Sequence, residues 1–172
     1  SVVYALLAPQ IYIAEALLLP PRAKDVKSFK LLENQGENSE LSFRAVQGIT
    51  PEVAFDSFKK NLISRSLQKK FIDEYGLMDI LDPNRSPETR DIEILEGFSK
   101  MIIIGDNEDF SVSVENSDPE FAANLVNNYV SFFDLETVRG LVSDARNTIG
   151  ELIMDIEYKI FSKRQMAKLR RE

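Results

Sequence analysis

Residues 117–172 decide the fold of this chain, and they read SDPEFAANLVNNYVSFFDLETVRGLVSDARNTIGELIMDIEYKIFSKRQMAKLRRE. After Pro119 the stretch contains no further proline, and its only glycines are Gly140 and Gly150. It predicts one helix on the order of 80 Å long, at about 1.5 Å per residue, whereas the mean globular helix has only about 11–12 residues. A helix of that length exceeds what one compact core can cover, so we expect it to pack against a further segment or another copy.

The sequence marks the start of this helix but not its end. Ser117 and Glu120 have the spacing of a capping box, and Pro119 falls in the first turn. Residues 168–172 contain no glycine or asparagine cap and no proline. We therefore expect the helix to be truncated at residue 172. A break near Asp134 or Gly140 is the alternative, because glycine inside a helix costs about 1 kcal/mol.

Apolar residues in this helix alternate at spacings of three and four, which indicates a heptad-like stripe. Before Leu135, packing of the helix on its own domain is an equal alternative to packing on a partner. Beyond Leu135 the pattern favours a partner helix. The candidate helix-packing or oligomer-interface residues are Val138, Val142, Ala145, Ile149, Leu152 and Ile156.

The rest of the chain predicts an α+β fold class, with an α/β base containing a small mixed sheet beneath the very long C-terminal helix. Thr50-Pro51-Glu52, Ser86-Pro87-Glu88 and Asp118-Pro119-Glu120 each combine a cap residue, a first-turn proline and an acid. They predict helices from Pro51 to about Tyr75, bent near residues 64–66 and capped by Gly76, and from Pro87 to about Leu95. The predicted strands are 11–19, 41–45, 100–104 and 110–115, with a loop over 33–40 and a turn over 105–108.

Composition argues against most catalytic chemistry. The chain has no histidine and no cysteine, which removes Ser-His and Cys-His machinery and histidine zinc sites. Its seven glycines form no phosphate-binding loop. The densest acidic group is Asp106, Glu108 and Asp109 in a predicted turn, where a divalent-ion site is the minor alternative to a solvated turn. We expect no enzyme activity, no cofactor and no metal.

Charge is unevenly distributed along the chain. The net charge is −7, which argues against a nucleic-acid-binding surface. Residues 159–172 hold six Lys or Arg and one acid, so this end carries +5 and the remainder carries −12. A solvated helix face explains this equally well as an acidic neighbour. Residues 2–8 are apolar but too short to span a bilayer, so they are either an ordinary terminal segment or the end of a membrane helix.

Four segments in order resemble the periplasmic domain of bacterial polysaccharide co-polymerases, the O-antigen chain-length determinants. These segments are Tyr4–Pro9 with the following strand, Ala54–Leu62, Phe110–Ala123 and Asn127–Val130. The resemblance implies an inner-membrane protein with two membrane helices and a periplasmic α/β base from which a long helix rises. It divides the chain into the end of a first membrane segment (1–9), the base (10–117) and the long helix (118–172).

The resemblance also implies a function without catalysis. Members of this family form rings and set the modal length of lipopolysaccharide O-antigen made by a separate polymerase. The implied partners are other copies of the chain, the polymerase, the growing polysaccharide and the inner membrane. Two alternatives remain open. One is a co-polymerase for capsule, exopolysaccharide or enterobacterial common antigen, with or without an attached tyrosine kinase. The other is an unrelated coiled-coil scaffold.

Overall fold

The computed structural model describes residues 10–26, 49–83, 90–106 and 109–170. Three strands and five helices lie in these ranges. They are β1 (Tyr12–Leu18), α1 (Pro51–Leu62), α2 (Arg65–Glu74), α3 (Met78–Leu81), α4 (Asp91–Met101), β2 (Ile102–Asp106), β3 (Phe110–Asn116) and α5 (Pro119–Leu169). This confirms the α+β class with a long C-terminal helix. The predicted strand over 41–45, the loop over 33–40, the 86–88 cap and the apolar segment 1–9 lie outside the described residues.

The chain divides into two compact units. The first combines residues up to Pro20 with Asp56–Glu136, and it holds the sheet and most of the buried residues. The second combines Pro21–Phe55 with Thr137–Glu172. Helix α5 therefore contributes its first part to one unit and its remainder to the other.

The sheet of the first unit has the strand order β1-β3-β2, and both pairings are antiparallel. Val112 of the central strand β3 pairs with Ala16 of β1 on one side and with Ile104 of β2 on the other. Val112 and Val114 are fully buried, whereas Ile13, Leu17 and Ile103 on the opposite face are exposed. The expected mixed sheet is thus wrong for the described strands. The short β2–β3 connection imposes antiparallel pairing, because a tight turn can join two antiparallel strands but cannot join two parallel ones.

The β2–β3 hairpin begins two residues later than predicted. Lys100 and Met101 continue helix α4 instead of opening the strand, because Ile94, Leu95 and Phe98 bury one helical face. Gly105 then pairs with Ser111 inside the ladder, although it was predicted to lie in the turn. A Cβ at Gly105 would lie 2.9 Å from the Ser111 Oγ, which explains a glycine within this strand.

The helix predicted from Pro51 to Tyr75 is two helices, and they separate at the predicted bend. Ser64 adopts an extended backbone conformation between α1 and α2. Gly76 ends α2 with a φ of +61°, as expected for a glycine cap. The break leaves the Leu62 carbonyl without a continuing helix. The Tyr129 hydroxyl donates a hydrogen bond to it, and the Gln68 side-chain amide donates another at 3.2 Å.

These hydrogen bonds belong to a buried polar network that joins four helices, α1, α2, α4 and α5. Gln68 Nε2 also donates to the Tyr129 hydroxyl at 3.1 Å, and Ser99 Oγ donates to Gln68 Oε1 at 2.7 Å. Tyr129 is fully buried, and this desolvation raises its pKa to about 12 from an ordinary value near 10. The network satisfies polar groups that would otherwise be costly to bury.

Replacing Tyr129 with Phe tests this network. We expect the free energy of unfolding to fall by about 1–3 kcal/mol at neutral pH, because the Leu62 carbonyl loses a buried donor. The raised pKa also makes the Tyr129 contribution full below pH about 10 and progressively lost up to about pH 12. The difference in the free energy of unfolding between wild type and variant, measured by urea denaturation, should therefore narrow across that pH range.

Tyr158→Phe is the matched control, because the Tyr158 side chain is exposed. It should leave the free energy of unfolding at neutral pH unchanged. If the free energy of unfolding of Tyr129→Phe changes with pH in parallel with that of wild type from pH 7 to pH 12, the side chain of Tyr129 is not a buried neutral phenol.

Candidate interaction surface on the long helix

Helix α5 begins at a well-formed cap. The Asp118 carboxylate accepts hydrogen bonds from the backbone N–H groups of Glu120 at 2.9 Å and Phe121 at 3.2 Å. Pro119 occupies the first helical position, where a missing N–H is tolerated. The cap is therefore Asp118, and the predicted capping box at Ser117 is wrong. Asn116 assists, because its side-chain oxygen accepts from the Asp118 N–H at 2.9 Å.

The first part of α5 is a core element of the first unit. Its buried side chains are Ala122, Leu125, Val126, Tyr129, Phe132 and Phe133. Phe71 of α2 lies against them, with ring centroids 5.3 Å from both Tyr129 and Phe132. Near the end of this part, Lys70 Nζ lies 2.7 Å from the Glu136 carboxylate. This confirms the alternative in which the helix before Leu135 packs on its own domain.

The six predicted interface residues lie on the remainder of the helix, within the second unit. Ala145 is buried, Val142, Ile149, Leu152 and Ile156 are half-buried, and Val138 is exposed. The helix continues unbroken through Asp134 and Gly140, so the six residues of the stripe keep their helical spacing and lie on one side of the helix. Whether it contacts another helix stays a prediction.

Beyond Gly150 the helix has a second apolar side that the sequence analysis did not recognise. Met154, Tyr158 and Phe161 are 64%, 71% and 61% exposed. Phe161 follows Leu152 by nine residues, which places the two side chains about half a turn apart around the helix. The spacing of four and three among these residues is itself a helical signal. This signal was overlooked because the stripe through Leu152 and Ile156 already accounted for the apolar residues in this part of the helix.

This far part of α5 is also basic. Lys159 forms an ion pair with Asp155 at 2.6 Å, and Lys163, Arg164 and Lys168 are exposed, as is Arg170 directly after the helix. Apolar side chains on two sides of a helix cannot both be covered by one partner. Clustered exposed apolar residues of this kind mark an interaction site more often than an ordinary surface. We define residues 153–169 of α5 as the distal segment.

Other kinds of site receive little support from the geometry. Within the ranges that the structure describes, no group of three or more acidic residues is arranged to hold a metal ion. Asp106 lies at the end of β2 and Asp109 precedes β3, while Glu108 is outside those ranges. The same part of the chain also contains no helix that is both long and apolar enough to cross a membrane.

Two comparisons with known proteins give no relative that bears on function. Neither a scan against protein-family models nor a search of curated proteins finds a match for this chain. The function must therefore be argued from the residues and the geometry above.

Aspartate in place of Ile149 tests the predicted stripe, and Leu152→Asp tests it independently. If the stripe packs against another helix, either charge would be buried without a partner, which is strongly unfavourable. We expect association of the protein to weaken at least about tenfold. Sedimentation velocity over a concentration series measures this.

Asn147→Asp is the matched control, since Asn147 is exposed on the same helix and outside the stripe. It should associate like wild type, and circular dichroism should show equal helix content in all three variants. The stripe is not an interface if Ile149→Asp and Leu152→Asp leave the size of the assembly unchanged.

Proposed function

We propose that this protein is a regulator of the modal chain length of lipopolysaccharide O-antigen. It acts as a ring-forming inner-membrane co-polymerase with a separate polymerase, and this segment is periplasmic. The observation that carries the proposal is helix α5, which is 51 residues long. Its first part belongs to a packed α+β unit, and its distal segment exposes apolar side chains. The ordered resemblance of four segments to chain-length determinants supports the same function.

A regulator of this kind acts through assembly and not through bond chemistry. The absence of histidine and cysteine from the sequence leaves few groups for nucleophilic or acid–base catalysis at neutral pH. Long helices with apolar stripes, by contrast, supply surfaces for heterologous contacts, which close into rings when the rotation between neighbours permits it. The polymerase, other copies of the chain and the growing polysaccharide are the proposed partners, with membrane attachment through helices flanking this segment.

The proposal requires no nucleic-acid partner and no cofactor. A net charge of −7 opposes binding to a polyanion. The basic distal segment does not change this, because its charges are interspersed with the exposed apolar residues Met154, Tyr158 and Phe161. Such a mixture suits contact with a protein surface better than contact with a phosphate backbone.

The test is complementation in a bacterium whose own chain-length regulator has been deleted and whose O-antigen polymerase is intact. Full-length protein should convert a random distribution of lipopolysaccharide bands into a cluster around one length. Ile149→Asp should abolish the cluster while total polymer is still made. Alanine at Asp106, Glu108 and Asp109 together should leave the cluster in place, because these acids have no catalytic role in the proposal.

Two results would contradict the proposal. A full-length protein that is present in the membrane but leaves the band distribution random would favour the scaffold alternative. Loss of all polymer from the triple alanine variant, with folding and assembly intact, would instead indicate a catalytic or metal role for the carboxylates. Immunoblotting of membranes and detergent sedimentation establish presence and assembly in both cases.

A further inference from the structure

A half-open cleft lies in the first unit between the end of α2 and the beginning of α5. Its volume is about 170 Å³, and it is lined by Phe71, Tyr75, Leu77, Phe121, Asn124, Leu125 and Asn128. Pockets for drug-sized ligands measure about 300–1,000 Å³. This cleft is therefore suited to a single ring held at its mouth and not to a longer molecule enclosed within it.

The cleft has an apolar floor and reachable aromatic rings. Phe71, Leu77 and Leu125 are buried and form the floor. Tyr75 is 39% exposed, and its ring is held by Phe71 at a centroid distance of 4.5 Å. Because the Phe71 contact restricts the Tyr75 ring, the ring offers a flat apolar face at little cost in side-chain entropy.

Two amides supply the polar part of the cleft. Asn124 and Asn128 are exposed, and they lie four residues apart on α5, which places them on one side of the helix. Each amide can both donate and accept hydrogen bonds. None of the seven lining residues is charged, so the cleft offers no opposite charge to a phosphate, a carboxylate or an ammonium group.

We propose that this cleft binds one neutral pyranose ring of the polysaccharide. A pyranose has an apolar C–H face that can lie on the Tyr75 ring, and hydroxyl groups at its edge that both donate and accept hydrogen bonds. The exposed amides of Asn124 and Asn128 match those hydroxyl groups. The assignment rests on the proposed function for its substrate class. It adds to that function a specific site at which the regulator contacts the polymer.

Saturation-transfer NMR with the 172-residue chain tests the proposal. The probes are the methyl glycosides of galactose, rhamnose and N-acetylglucosamine, with methyl glucuronide as an acidic pyranoside. At least one neutral glycoside should give a saturable signal, and methyl glucuronide should give none. Asn124→Ala combined with Asn128→Ala should weaken binding about tenfold, and Tyr75→Ser should remove the signal.

Asn127→Ala is the matched control, because Asn127 is an exposed amide on the same helix that does not line the cleft. It should bind like wild type, and all variants should keep the wild-type circular dichroism spectrum. The site assignment is overturned if no neutral glycoside binds, if methyl glucuronide binds equally well, or if the double asparagine variant binds like wild type. A cleft that instead receives an apolar side chain of another protein would give the first of these results.

This experiment separates the inference from the function on which it rests. Loss of binding in the asparagine variant is measured in solution, whereas chain-length control is measured from lipopolysaccharide bands in cells. Normal band clustering together with absent glycoside binding would overturn the site and leave the function standing. Glycoside binding together with a random band distribution would retain the site and reject chain-length control.

Discussion

Packing of aromatic rings around Phe71 is the interaction on which the rest of the first unit depends. Phe71 is fully buried, and its ring lies within 6.3 Å of the ring centroids of Tyr75, Phe98, Tyr129, Phe132 and Phe133. Phe71 lies in α2 and Tyr75 directly follows it, whereas the other four rings come from α4 and α5. Removing Phe71 would therefore unpack three helices at once, at a cost of about 3–5 kcal/mol for a Phe-to-Ala change in a core.

This anchoring explains why one helix serves two purposes. Isolated helices are marginal in water, and most helical stability in proteins comes from packing one face. The first part of α5 obtains that stability from the aromatic cluster and from the Lys70–Glu136 ion pair. The distal segment, by contrast, exposes Met154, Tyr158 and Phe161. Its apolar side chains are thus available for contact with another molecule, as the proposed assembly requires.

The sequence predicted the elements whose signals are local. The cap and proline residues at Thr50-Pro51 and Asp118-Pro119 located the beginnings of α1 and α5, and the lack of proline after Pro119 predicted the length of α5. The alternation of apolar and polar residues located β3. The ends of α4 and β2 were misplaced, because Lys100 and Met101 suit a helix or a strand equally well. Only the burial of Phe98 and Leu95 on the same helical face decides between them.

The polar network and the cleft could not be predicted, because they join residues that are distant in sequence. Gln68 and Tyr129 are 61 residues apart, yet their side chains share a hydrogen bond and the Leu62 carbonyl. Tyr75, directly after α2, and Asn124 of α5 likewise line one cleft. No pattern within either helix specifies that pairing. The second apolar side of α5 differs, because its helical spacing is present in the sequence. It was overlooked because the stripe on the opposite side already accounted for the apolar residues.

The central claim is that α5 is anchored at one end and exposes an assembly surface at the other. Amide hydrogen exchange on the full-length protein, compared between dilute monomer and assembled states, tests it most directly. In the monomer, amides between Leu125 and Phe133 should exchange slowly and those of the distal segment rapidly. Assembly should slow exchange in the distal segment and along the predicted stripe from Val138 to Ile156, and leave the amides between Leu125 and Phe133 unchanged. Equal protection along the whole helix in the monomer, or no change in the distal segment on assembly, would contradict the account.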